Sequence, residues 1–98
     1  MAALIAKQVN LHLKTVPNWS KRAQTISRTF QFEGFLDGIN FVRRIAAKAE
    51  KAQHHPDINI RWNKVTLVLT THDEGGITGQ DFSMARQCDE VFSKVSVS

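Results

Sequence analysis

Two runs of alternating side chains, separated by only two residues, constrain this chain more than any other feature. Ile58, Ile60 and Trp62 alternate with Asn59 and Arg61, and Val65, Leu67, Leu69 and Thr71 alternate with Thr66, Val68 and Thr70. Period-2 alternation of β-formers on either side of Asn63-Lys64 predicts an antiparallel hairpin over residues 57 to 72 with one apolar face. Asn63 tolerates the left-handed backbone of tight hairpin turns, while Lys64 lacks the freedom of the usual glycine. A turn there sets Trp62 opposite Val65, Ile60 opposite Leu67 and Ile58 opposite Leu69. By parity Trp62 then packs in the core. The same register sets His55 opposite His72 on the other face, where opposed side chains come within about 5.5 Å. Pro56 has no N–H to donate and loosens the ladder at that end.

The register brings chemistry together. Three of the four histidines fall between positions 54 and 72, and imidazole ordinarily titrates at about 6.5, close to neutrality. His54-His55-Pro56 with His72 is therefore a candidate acid–base cluster. His12 stands apart and is expected to be structural.

At 98 residues the chain is expected to form one domain spanning residues 1–98, with room for one modest core. Leu4, Ile5, Val9, Leu11 and Leu13 predict a short helix over residues 3 to 14, ended by Val16-Pro17-Asn18. Trp19 to Arg22 is a weak strand, with Trp19 as a core or interface anchor. Ile26 to Phe32 is a stronger strand, after a turn around Ala23-Gln24-Thr25. From Phe35 to Gln53 the period becomes helical: Phe35, Ile39, Val42, Ala46 and Ala49 form a stripe that Phe41 and Ile45 widen. A Gly75-Gly76 loop follows the hairpin. The last helix is expected from about Gly79 to Lys94, with Thr78 and Asp81 approximating a capping box and Met84, Ala85, Cys88, Val91, Phe92 and Val95 on its buried side. The order α-β-β-α-β-β-α predicts an α+β domain, a four-stranded antiparallel sheet with three helices packed on one face. Open edge strands in so small a sheet favour self-association.

Thirteen Lys and Arg against nine Asp and Glu give a net charge of +4. The basic residues are dispersed, unlike the basic face of a nucleic-acid binder, so no direct nucleic-acid contact is expected. No apolar run approaches the roughly 20 residues that cross a bilayer, and the start of the chain lacks a signal-peptide core. The lone Cys88 fits a reducing compartment and reads as inert packing. The expected location is cytoplasmic, with the nucleus as the alternative.

Glu50, His54-His55-Pro56, Trp62, His72 and Asp81 stand at seven positions whose spacing resembles the signature of the pterin-4a-carbinolamine dehydratase family. Trp19, Phe30-Gln31-Phe32 and the Phe35 to Ala49 helix extend the resemblance over nearly the whole chain. It implies the same α-β-β-α-β-β-α fold and a homodimer or homotetramer. It also implies dehydration of a 4a-hydroxytetrahydropterin to quinonoid dihydropterin, which recycles tetrahydrobiopterin for aromatic amino acid hydroxylases. Through the resemblance, His54 and His72 become candidates for acid and base, and His55 for substrate binding. Glu50 is placed to fix an imidazole tautomer or bind the pterin edge, and Asp81 to orient His72. Thr70 and Thr71 offer hydroxyl or backbone groups beside Pro56 and the histidines. Such a dehydration needs no metal and no dissociable cofactor. Some relatives carry an aspartate where this chain has Gln53, which puts a charged role for that position in doubt.

Two other readings compete. Zinc held by His54, His55, His72 and either Glu50 or Cys88 lacks the usual ligand spacing. A dimerisation or assembly module without catalysis, like the coactivator role known in the family, has no physical need for three histidines.

Overall fold

The computed structural model describes residues 2–95. The order is α1 (Ala6–Leu13), β1 (Ser20–Arg22), β2 (Thr25–Gln31), α2 (Phe35–Ala52), β3 (Asp57–Arg61), β4 (Lys64–Leu69), a 3-10 turn (His72–Glu74) and α3 (Gly79–Val95). The strands form one antiparallel sheet in the order β1-β2-β4-β3 with the three helices on one face, as the alternation of periods predicted. Met1 and residues 96–98, which the single-domain reading includes, lie outside the described residues.

The first helix is shorter than expected. Leu4 N–H donates to the Ile77 carbonyl at 2.8 Å, which keeps the chain extended until Gln8 Oε1 caps Ile5 N–H. In α2 the buried face is Gly38, Phe41, Ile45 and Ala49. The expected stripe is thus rotated: Phe35 is 47% exposed and Ala46 is exposed, while Phe41 and Ile45 sit at its centre. Gly38 explains the rotation. A Cβ there would lie 3.3 Å from Val65 Cγ2 and 3.5 Å from Phe32, so the glycine lets this face of the helix lie close against the sheet. Phe41 then meets Phe30 at 4.7 Å and Phe32 at 5.2 Å between ring centroids, and Phe92 of α3 closes the cluster. Each such side chain contributes on the order of 1.5–3 kcal/mol by burial.

Trp19 is a core anchor. Its Nε1–H donates to Asp89 Oδ1 at 2.8 Å, and Arg28 reaches the same oxygen at 2.7 Å while lying over the Phe30 ring. His12 stacks on Phe82 of α3, centroids 5.0 Å apart, which is the structural role expected of it. Phe82 itself, fully buried, was absent from the expected α3 face.

The central hairpin forms, but its turn sits one residue earlier than expected. Arg61 pairs with Lys64, Ile60 with Val65 and Ile58 with Leu67, so Trp62-Asn63 is the turn. Face parity survives because the register has moved by two. Trp62 takes a left-handed φ of 52° and stands 70% exposed, not in the core. Asn63 is pulled inward instead: its Nδ2 donates to the Phe32 carbonyl at 2.8 Å and its own carbonyl accepts Phe32 N–H. That double contact to the end of β2 fixes the turn. The ladder ends at Asp57 and Val68, so His55 and His72 are not a cross-strand pair. Among the described residues no helix is long and apolar enough to cross a membrane.

Candidate active site

Helix α2 ends by delivering His54. Gln53 adopts the left-handed conformation, with φ 53° and ψ 42°, so the chain folds back over the last turn. His54 N–H then donates to the Ala49 carbonyl and Gln53 N–H to the Glu50 carbonyl, the paired bonds of a Schellman motif. The Gln53 side chain donates to the same Glu50 carbonyl at 2.7 Å, so it caps the helix. Pro56 follows two residues on, where helix continuation is already impossible.

So placed, His54 Nε2 meets Asp81 Oδ1 at 2.5 Å. Asp81 is fully buried at the first turn of α3. A carboxylate removed from water needs several donors, and Asp81 has them: Thr71 Oγ1 at 2.8 Å and Thr78 N–H at 2.9 Å both reach Oδ2. The Thr78 contact is the expected capping interaction. Asp81 was expected to orient His72; it holds His54 instead.

His55 points elsewhere, with Nε2 2.6 Å from Glu50 Oε1, both side chains largely in solvent. The hydrogen-bond partner of Glu50 is thus His55. The strand expected to reach His72 stops earlier. Thr70 Oγ1 donates to the Gln24 carbonyl at 2.6 Å, which ties it to the β1–β2 turn rather than to the histidines. Thr71 bridges to Gly76, pinching off the turn that carries His72. His72 is exposed there: its carbonyl accepts the Gly75 N–H at 3.0 Å, and among the described residues its side chain makes no hydrogen bond. Its place is nonetheless defined, since it directly follows Thr71, whose hydroxyl touches Asp81.

Of the three histidines only His54 touches the buried carboxylate; His55 is its neighbour in the chain but pairs with Glu50, and His72 follows a threonine bound to Asp81. Thr78 is the member that sequence reasoning used only as a cap. Its hydroxyl lies 2.9 Å from that of Thr71, and the Thr78-x-x-Asp81 spacing was its only signal.

A cavity of 90 Å³ touches His54, between Ala52 and the Gln80, Ser83 and Gln87 face of α3. Sites that enclose a small ligand run to roughly 300–1,000 Å³, so this one does not enclose a bicyclic ring. Larger grooves of 750 and 390 Å³ run between α2 and α3, lined by Arg43, Arg44, Lys48 and Lys94, with neither histidine of the pair among their walls. Those walls carry no histidine, so the carboxylate-backed histidines and not the larger grooves mark the candidate site. Cys88 is buried in the core, its thiol pushed up to about 12 by loss of hydration and then by neighbouring Asp89. Among the described residues no three His, Cys, Asp or Glu side chains gather as metal donors.

Known proteins resemble this chain in sequence and in fold. The family model described as pterin 4 alpha carbinolamine dehydratase matches residues 2–91. A Mycobacteroides abscessus protein provisionally named a pterin-4-alpha-carbinolamine dehydratase is 49% identical over 89 residues, covering 91% of this chain and 95% of its own. A Roseiflexus castenholzii protein with the same provisional name is 48% identical, covering 93% and 99%. Among solved structures, a Brucella melitensis protein described as a transcriptional coactivator/pterin dehydratase superposes with a TM-score of 0.88 at 33% identity, over 91% of this chain and 97% of the other. A pterin dehydratase-like protein identified as a RuBisCO assembly factor in the alpha-carboxysome shares the fold, with a TM-score of 0.66 at 20% identity over 76% and 89%.

Proposed function

Because this chain belongs to the pterin 4 alpha carbinolamine dehydratase family, we propose that it converts 4a-hydroxytetrahydrobiopterin to quinonoid dihydropterin and water by histidine acid–base catalysis. The observation that carries the reading is the buried Asp81 carboxylate bonded to His54, with His55 next in the chain and His72 directly after Thr71, which also bonds Asp81.

The reaction needs one proton put on the departing hydroxyl and one taken from a ring nitrogen. As the protonated hydroxyl leaves C4a as water, the nitrogen lone pair forms the new C=N bond, and the base collects the nitrogen proton. His54 suits the base: Asp81 occupies Nε2, which leaves Nδ1 to accept, and the carboxylate stabilises the imidazolium that forms. His72, free in solvent, suits delivery of the proton to the hydroxyl. His55, steadied by Glu50, suits binding and orientation. A positioned acid or base contributes about 10²- to 10⁴-fold.

The assembly-module reading takes support from the coactivator description of the Brucella protein. Against it stands the complete set of His54, His55 and His72, for which a scaffold has no physical need.

The test is the rate of quinonoid dihydropterin formation from freshly generated carbinolamine, for wild type and for His54→Ala, His55→Ala and His72→Ala. We expect clear acceleration by wild type, losses of about 10²-fold or more for His54 and His72, and a mainly KM effect for His55. No acceleration over buffer ends the enzyme reading. Full activity in all three variants ends the site assignment.

A further inference from the structure

We propose that Thr71 and Thr78 form a positioning relay that holds the His54 ring in a single tautomer, hydrogen on Nε2 and lone pair on Nδ1. The inference follows from where each proton in the buried network has to be. Thr78 Oγ1 accepts the Gln80 N–H at 3.2 Å and lies 2.9 Å from Thr71 Oγ1. Thr71 Oγ1 lies 2.8 Å from Asp81 Oδ2, and a carboxylate oxygen only accepts. The one hydroxyl proton of Thr71 therefore goes to Asp81. The contact between the two threonines is then made by the Thr78 proton, donated to Thr71. Oδ2 also takes Thr78 N–H at 2.9 Å. With Oδ2 supplied by two donors and both threonines and Asp81 buried, Oδ1 has His54 as its partner at 2.5 Å. An oxygen without a proton of its own binds Nε2 only if Nε2 carries the hydrogen.

Thr71 thus acts on catalysis through Asp81 and His54, not through the substrate, and Thr78 acts one step further back. Removing the Thr71 hydroxyl leaves the carboxylate short of a donor and more basic, so when Nδ1 takes a proton from solvent the Nε2 proton can pass to Asp81, leaving a neutral acid beside a ring whose hydrogen is on Nδ1. Removing the Thr78 hydroxyl only unlocks the Thr71 rotor, a smaller change. The catalytic consequence rests on the dehydratase reading; the tautomer itself does not.

The test pairs long-range proton–nitrogen NMR of the neutral imidazoles with steady-state kinetics. His54 signals are assigned by their loss in His54→Gln. Wild type is expected to show one tautomer, hydrogen on Nε2. Thr71→Val, which keeps shape and loses the hydroxyl, is expected to show mixed tautomers and a kcat at least tenfold lower with KM within about twofold. Thr78→Val follows with a smaller loss, and Thr71→Ser, which keeps only the hydroxyl, restores both readouts. A wild type with its hydrogen on Nδ1 overturns the proposal even if no variant folds. So does a Thr71→Val protein that keeps the single Nε2–H tautomer, or one that loses it with kcat unchanged. A wild type that holds the tautomer but does not accelerate dehydration sinks the dehydratase reading alone.

Discussion

Asp81 meets His54 Nε2 at 2.5 Å across 27 positions of sequence, and that contact joins the first turn of α3 to the last turn of α2. Both ends are prepared locally. The left-handed Gln53 swings His54 back over its own helix, and the Thr78 N–H pins Asp81 at the start of α3. Neither end needs the other to adopt its backbone, so their meeting is a property of how α2 and α3 lie on the sheet.

Replacing Asp81 by asparagine keeps the shape and exchanges one acceptor for a donor. Thr71 and Thr78 N–H together claim the amide oxygen, so the NH2 group faces His54 Nε2. The ring must then accept there and carry its hydrogen on Nδ1. We expect Asp81→Asn to fold and to lose about 10²- to 10⁴-fold in kcat, read by stopped-flow dehydration. Asp81→Ala leaves two buried donors without a partner and should lower unfolding stability by about 1–3 kcal/mol. Full activity in Asp81→Asn would remove Asp81 from the mechanism.

Gln53 sits at φ 53°, a conformation that costs a residue with a Cβ on the order of 1–2 kcal/mol. Its side chain recovers part of that by donating to the Glu50 carbonyl. Gln53→Gly should therefore raise the unfolding free energy from urea titration slightly, by roughly 0.5–1 kcal/mol, with dehydratase activity retained. Gln53→Val, β-branched and without the hydrogen bond, should lower it by more than 1 kcal/mol or so. Equal midpoints for glycine and valine would show that the left-handed turn is not what ends α2.

What could be read in the sequence was what local chemistry decides. The Thr78-x-x-Asp81 spacing and the apolar steps from Met84 to Val91 placed α3 to within a residue, and the change of period at Phe35 placed α2. The three histidines were recognisable as a cluster because they share a short stretch. The details that failed all depend on contacts distant in sequence. Asn63 was assigned the first turn position on conformational preference, whereas its amide is drawn to the Phe32 carbonyl and Trp62 takes the strained place. The buried face of α2 was misplaced because Gly38, which sets the closest approach, carries no hydropathy signal. Asp81 was given to His72, nearer in sequence, when the helix-end turn brings His54 to it.

Cys88 offers a pH prediction with a definite sign. Burial pushes its thiol up from the ordinary 9.0 to about 12, so the folded protein keeps the proton where the unfolded chain gives it up. The resulting contribution to stability is complete below about pH 9 and is lost as pH rises towards 12. The alkaline fall in stability between those values should shrink in Cys88→Ala. At pH 8, alkylation of Cys88 should be slow and should accelerate only with added denaturant, tracked by mass. Rapid labelling of the native protein would contradict the burial.

The sheet has two edges, and they are not equivalent. β1 has only three residues and presents Lys21 and Arg22, features that discourage edge pairing. β3 pairs with β4 alone and carries Ile58 and Ile60 at 39% and 38% exposure, with Trp62 protruding at its end. We propose that two copies associate across β3, extending the sheet and covering these side chains. Sedimentation over a range of concentrations should then give a mass above the 11.1 kDa of one chain. Ile60→Lys, on the apolar face of the edge strand, should shift the distribution towards monomer while circular dichroism stays unchanged. Lys21→Ser, on the other edge, should leave the mass as it was. A wild type that stays at one chain's mass at the highest concentration reached would rule the edge out, and a mass that survives Ile60→Lys would place the interface elsewhere.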